Sequence, residues 1–94
     1  MASGANKIAT GAVTVNDTVG GVQIVPVRTG RRAITLLQPG TTAVFIGNSG
    51  VATTTGISLT GTAGTTRRIE TTAAIYGITA SGSQSIQYLE EYDE

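Results

Sequence analysis

The chain has 94 residues, enough for one small domain with a thin core, and its six cations and six acids cancel to a net charge of zero. It contains no Cys and no His, which excludes a disulfide framework, a thiolate nucleophile, an imidazole base and the usual zinc and iron–sulfur ligand sets. The β-branched residues (17 Thr, 9 Ile and 8 Val) dominate, and such side chains pack well on a pleated sheet but lose freedom in a helix. With 13 Gly to supply turns, the composition reads as all-β.

Residues 1–11 are small, polar and aperiodic apart from Ile8, and read as a flexible N-terminal arm outside the core. Residues 12–92 read as a single β domain, and 93–94 as an acidic end. The first strand is expected at Ala12–Asn16, where Val13 and Val15 share a face, and Gly20-Gly21 makes a turn. Val22–Arg28 reads as a second strand, confined to a sheet edge or split by Pro26, which cannot donate to a ladder. Arg32–Gln38 follows, with Ile34 and Leu36 on one face and Thr35 and Leu37 on the other, so both sides are expected to be covered. Gln38-Pro39-Gly40 is a turn, Ala43–Ile46 a strand, and the run from Gly47 to Gly50 another turn. Val51–Thr55 and Ile57–Leu59 are short strand candidates, and 61–64 is a loop. Arg67–Thr71, Ala74–Thr79 and Gln84–Glu91 complete the set; in the last, Ile86 and Tyr88 face one way and Gln87 and Leu89 the other. Turn signals at this spacing predict a compact antiparallel β-sandwich or small β-barrel of about seven or eight short strands.

Few residues can support catalysis or cofactor binding. The run from Gly56 to Gly61 has the gap of a phosphate-binding loop, but Thr62-Ala63 stands where that loop needs a lysine and a hydroxyl, and no helix follows. A Ser or Thr nucleophile has no imidazole base, and away from the C-terminus only Asp17 and Glu70 supply carboxylates. The expectation is a protein that is not an enzyme, with no catalytic, cofactor-binding or metal-binding residues. No window approaches the roughly 20 apolar residues of a membrane span, and residues 1–6 do not look like a secretory signal.

The neutral charge hides an uneven distribution. Glu90, Glu91, Asp93 and Glu94 crowd the last five residues, while Lys7, Arg28, Arg31, Arg32, Arg67 and Arg68 lie before them. This pattern points to complementary contact within the fold or with another copy, or to a solvated acidic end. Sequence-specific nucleic-acid binding is not expected, because the chain is not basic and its aromatics do not interleave with the arginines. The candidate interface residues are Lys7, Ile8, Arg31, Arg32, Arg67, Arg68, Glu90 and Glu91.

Residues 31–46, continuing through the Gly47–Val51 turn, and residues 71–92 resemble small virion proteins of tailed bacteriophages. The resemblance rests on an Arg31-Arg32 strand leading to the Gln38-Pro39-Gly40 turn, and on a Val44-Phe45-Ile46-Gly47 strand. It continues through Ala74-Ile75-Tyr76-Gly77-Ile78 and the closing run from Ile86 to Tyr92. It implies a structural component of a phage particle, foremost a capsid decoration (cement) protein. Such a protein binds the major capsid protein of its own particle on the outer capsid surface, after synthesis in the host cytoplasm. Related chains occur in head fibres and tails, so the resemblance also admits a fibre, tail or neck component, or an adhesive module for a host surface. The uneven charge and the thin core point to a homo-oligomer, with Leu37, Phe45 or Leu89 as the apolar contact candidates, and the resemblance favours a trimer.

Overall fold

The structure, a computed structural model, describes residues 6–93. Eight strands are present among them: β1 (Lys7–Val15), β2 (Val22–Val25), β3 (Arg31–Gln38), β4 (Val44–Gly47), β5 (Ile57–Leu59), β6 (Thr65–Ile69), β7 (Ile75–Ile78) and β8 (Gln84–Tyr92). They form two antiparallel four-stranded sheets, ordered β1-β8-β3-β6 and β2-β7-β4-β5. The expected all-β sandwich is therefore the observed one.

The pairing is nested: β4 pairs with β5, β3 with β6, β2 with β7 and β1 with β8. A long hairpin whose tip is β4–β5 has been rolled so that successive strand pairs fall alternately in the two sheets. This is the wrapping of a jelly roll. Val15, Ile34, Leu36 and Ile86 of the first sheet meet Ile24, Val25, Val44, Ile46, Leu59 and Ile75 of the second to form the core. A register shift in β2 between Gln23 and Val25 lets the consecutive residues Ile24 and Val25 both be buried. Buried polar side chains close the turns. Gln38 Nε2 donates to Thr42 O at 2.7 Å while its Oε1 accepts from Gly40 N, and Thr79 Oγ1 donates to Gly82 O. Among the described residues no buried side-chain polar atom lacks a hydrogen-bond partner.

Three expectations are corrected. The arm was placed at residues 1–11, but the strand begins at Lys7 and runs beside β8 from Lys7 opposite Tyr92 to Val15 opposite Gln84. Residues 1–5 of that expected arm lie outside the described residues. Gly11 is the physical reason the sequence pattern does not show this strand. Glycine there does not loosen the chain; it makes room for Tyr88, the residue directly opposite. A Cβ on Gly11 would lie 2.5 Å from Tyr88 Oη and 2.7 Å from Cζ. Second, Val51–Thr55 is not a strand. Val51 makes an isolated bridge to Gly20, and Thr55 Oγ1 then accepts from Ala52 N, while Gly56 N donates to Ala52 O. The threonine side chain competes with the ladder and turns the chain. Third, Leu36 is fully buried but Leu37 is only half-buried, because no element of the described chain covers the outer face of β3. Elsewhere the differences are small, as where the second strand ends at Val25, just before Pro26.

Filling the space above Gly11 forces the Tyr88 ring out of its packed position. Gly11→Val is expected to lower stability by about 1–3 kcal/mol, read as a lower urea midpoint with an unchanged slope.

Candidate functional site

The structure separates the eight expected interface residues into three groups. Arg31 and Glu90 belong to the interior, with side chains 0% and 5% exposed. Arg31 Nε donates to Glu90 Oε2 at 2.8 Å. Its Nη1 donates to Ala73 O at 2.7 Å and to Thr71 O at 3.3 Å, and its Nη2 donates to Pro26 O. Arg28 approaches the other carboxylate oxygen at 3.7 Å and stacks 4.0 Å above the Tyr92 ring. The Arg31 guanidinium thus ties β8 and β3 of one sheet to the end of β2 and to the crossing that leads into β7 of the other. Neither Arg31 nor Glu90 is available as a surface contact, which corrects their expected role.

Arg32, Arg68 and Glu91 form the second group, exposed or half-exposed and paired within the chain. Arg32 Nε donates to Asp93 Oδ2 at 2.6 Å. Arg68 donates to Glu70 at 2.8 Å and to Glu91 at 3.4 Å, and these two carboxylates raise its pKa further above the ordinary guanidinium value. Asp93 also accepts from Asn6 N at 3.0 Å. The Arg32 guanidinium, helped by that amide, holds the Asp93 carboxyl below its ordinary pKa. Glu90, Glu91 and Asp93 therefore find their arginines within the same chain, and Glu94 lies outside the described residues. That removes the charge argument for self-association.

Lys7, Ile8 and Arg67 form the third group, exposed and without a carboxylate partner among the described residues. Ile8 is 66% exposed and stands opposite Glu91 on the outer face of the first sheet. That face carries two cross-strand rows: Thr10, Leu89, Thr35 and Arg68, then Ala12, Gln87, Leu37 and Thr66. Between them lies a shallow depression of about 610 Å³, with Leu37 and Leu89 in its floor. Leu37 and Leu89 were anticipated as contacts. The apolar site they form was not, because the alternation in each strand does not reveal which strands stand side by side.

Most of the described carboxylates are bound to guanidinium groups, and the lining of the depression includes threonines, Gln87 and Tyr88 but no carboxylate or cation. No three potential metal-ligating side chains converge among the described residues, and no helix there is long and apolar enough to cross a membrane. Comparison with protein families, curated proteins and solved structures finds nothing that matches the chain.

Two outcomes test the charge assignments. Glu90→Ala leaves a buried guanidinium without its carboxylate and is expected to cost about 3–5 kcal/mol, whereas Arg68→Ala, at an exposed pair, should leave the urea midpoint nearly unchanged. Asp93 has a depressed pKa, so its contribution is complete above the ordinary carboxylate value and is lost as the pH falls through the folded value. Titration of its side chain by NMR should give a midpoint below the ordinary value, and Arg32→Ala should move that midpoint upward.

Proposed function

We propose that the protein is a non-enzymatic structural component of a tailed-phage particle, a decoration protein that binds the assembled capsid from outside and bridges neighbouring capsomers. The observation that carries the reading is the shallow depression on the outer face of the β1-β8-β3-β6 sheet, where half-buried Leu37 and Leu89 lie among threonines beside charges that are already neutralised within the chain. A depression with two leucines among its walls suits a protein contact. The resemblance of the Arg31–Ile46 and Thr71–Tyr92 segments to small virion proteins names the class of particle. The jelly-roll wrapping agrees by analogy of fold, since viral capsid domains use it widely.

Such a protein stabilises a shell by binding the assembled lattice and not its isolated subunits. Each contact can be weak if several act together, because linked sites gain through effective concentration. The proposed oligomer is a trimer, following the resemblance, with Leu37 and Leu89 as its contact or as the contact with the shell. Jelly rolls are also frequent among lectin domains, which favours the adhesive module as the second reading.

Purified protein should be mixed with capsids stripped of their outer proteins, sedimented and quantified by mass. Saturation at hundreds of copies per particle is expected, and Leu37→Ser with Leu89→Ser should abolish it while circular dichroism shows an intact β domain. A handful of copies at one vertex or on a fibre would favour the second reading, and failure to bind at any concentration would remove the first.

A further inference from the structure

The two sheets do not remain closed along their whole length. Ile57 of β5 stands opposite Ile46 and shares the inward face with Leu59, yet Ile57 is 57% exposed and Leu59 only 1%. Across from it, Ile69 of β6 is half-buried against the core. Between them opens a cleft of about 340 Å³ whose walls include Ile46, Ile57, Ile69 and Ile75, with Arg67 beside them.

Three features of this cleft point to the same kind of occupant. First, among the described residues β6 is the edge of its sheet and pairs only with β3, so one side of its backbone presents donors and acceptors with no described strand to meet them. Second, Arg67 and Ile69 are two residues apart on one face of β6, so a strand added there would set one side chain against each. Third, Arg28, Arg31, Arg32 and Arg68 all have carboxylate partners, whereas Arg67 has none among the described residues. Arg68, on the opposite face of the same strand, is already neutralised by Glu70 and Glu91. An incoming carboxylate is therefore drawn to the cleft side of β6 and not to the outer side.

We infer that the β5–β6 edge captures an extended segment of a partner protein by strand addition to β6. The segment places an aliphatic side chain among Ile46, Ile57 and Ile69 and, two positions away, a carboxylate on Arg67. Backbone pairing supplies the docking, and the aliphatic-and-acidic pair at a spacing of two supplies the selection. A free amphiphile such as a fatty acid would satisfy the cleft and Arg67 but leave the β6 backbone unpaired. An inward-pointing charge on an edge strand can also serve to repel other chains, and that role predicts the opposite response to its removal. The inference concerns a different surface from the Leu37–Leu89 face and does not depend on the partner being a capsid.

The test uses the full chain, labelled for NMR, and end-blocked heptapeptides of alternating threonines that carry isoleucine and glutamate two positions apart. The expected result is slowed amide exchange confined to Thr65–Ile69 and to the cleft. Replacing the peptide's glutamate by lysine, or Arg67→Gln in the protein, should weaken binding by about tenfold. Ile57→Ser, at an exposed position, should weaken it as well without unfolding the domain. The inference is overturned if the peptide leaves β6 exchange unchanged or if Arg67→Gln binds it equally well. It is equally overturned if dodecanoate competes for the cleft while no peptide protects the edge, or if Arg67→Gln causes the chain to self-associate through β6.

Discussion

One buried guanidinium holds this sandwich closed at one end. Arg31 has four donor–acceptor contacts, and they reach a side chain of β8, the carbonyl that follows β2 and two carbonyls in the crossing between β6 and β7. A jelly roll sends most of its connections across from one sheet to the other, and each crossing carries backbone groups that no ladder satisfies. In a chain with a thin apolar core, a planar group with five donors can meet several such carbonyls from one point. Glu90 supplies the countercharge that makes the burial tolerable.

The neighbouring β5–β6 edge has no such closure. Arg31 ties the sheets together at Thr71 and Ala73, while beside them at β5 and β6 a cleft leaves Ile57 open to solvent and Ile69 half-buried. Two hollows with apolar residues in their walls result, one in the gap and one on the outer face of the β1-β8-β3-β6 sheet. Beside the outer hollow Arg68 and Glu91 form a local pair, whereas Arg67 beside the gap has no carboxylate partner among the described residues. Contacts made through the outer hollow depend on shape and burial more than on salt, whereas a contact with the exposed Arg67 in the gap is weakened by salt.

Much of the architecture was legible in the sequence. The threonine, valine and isoleucine runs and the glycine turns mark most of the strands, because period-two alternation and turn chemistry are local properties. The position of Glu90 was legible too, since it continues the inward series of Ile86 and Tyr88. Its charge disguised it, because an acid near a chain end is ordinarily solvated. Arg31 was not legible. Alternation from Ile34 and Leu36 would send Arg32 inward, and only the register shift between Arg31 and Ala33 reverses the two. The strand at Lys7 was hidden for a similar reason: Gly11 looks like freedom until the residue opposite is known to be Tyr88. In each case the missing information was pairing between residues far apart in the chain. The β5–β6 cleft belongs to the same class, since Ile57 reads as an ordinary inward residue until the sheets are seen to diverge there.

The pairing of β1 with β8 has a consequence for how the domain can be joined to other chains. Lys7 stands opposite Tyr92, so the two ends of the sandwich emerge side by side, about 5 Å apart at the last rung of the ladder. A unit with adjacent ends can be spliced into a loop of a host protein without stretching that loop, and permuted versions can be made by linking the ends and opening a turn elsewhere. Force applied through both ends would part β1 from β8 rung by rung, like a zipper, instead of shearing all the rungs at once. The fold is thus easy to insert and poorly suited to bearing tension along its own chain.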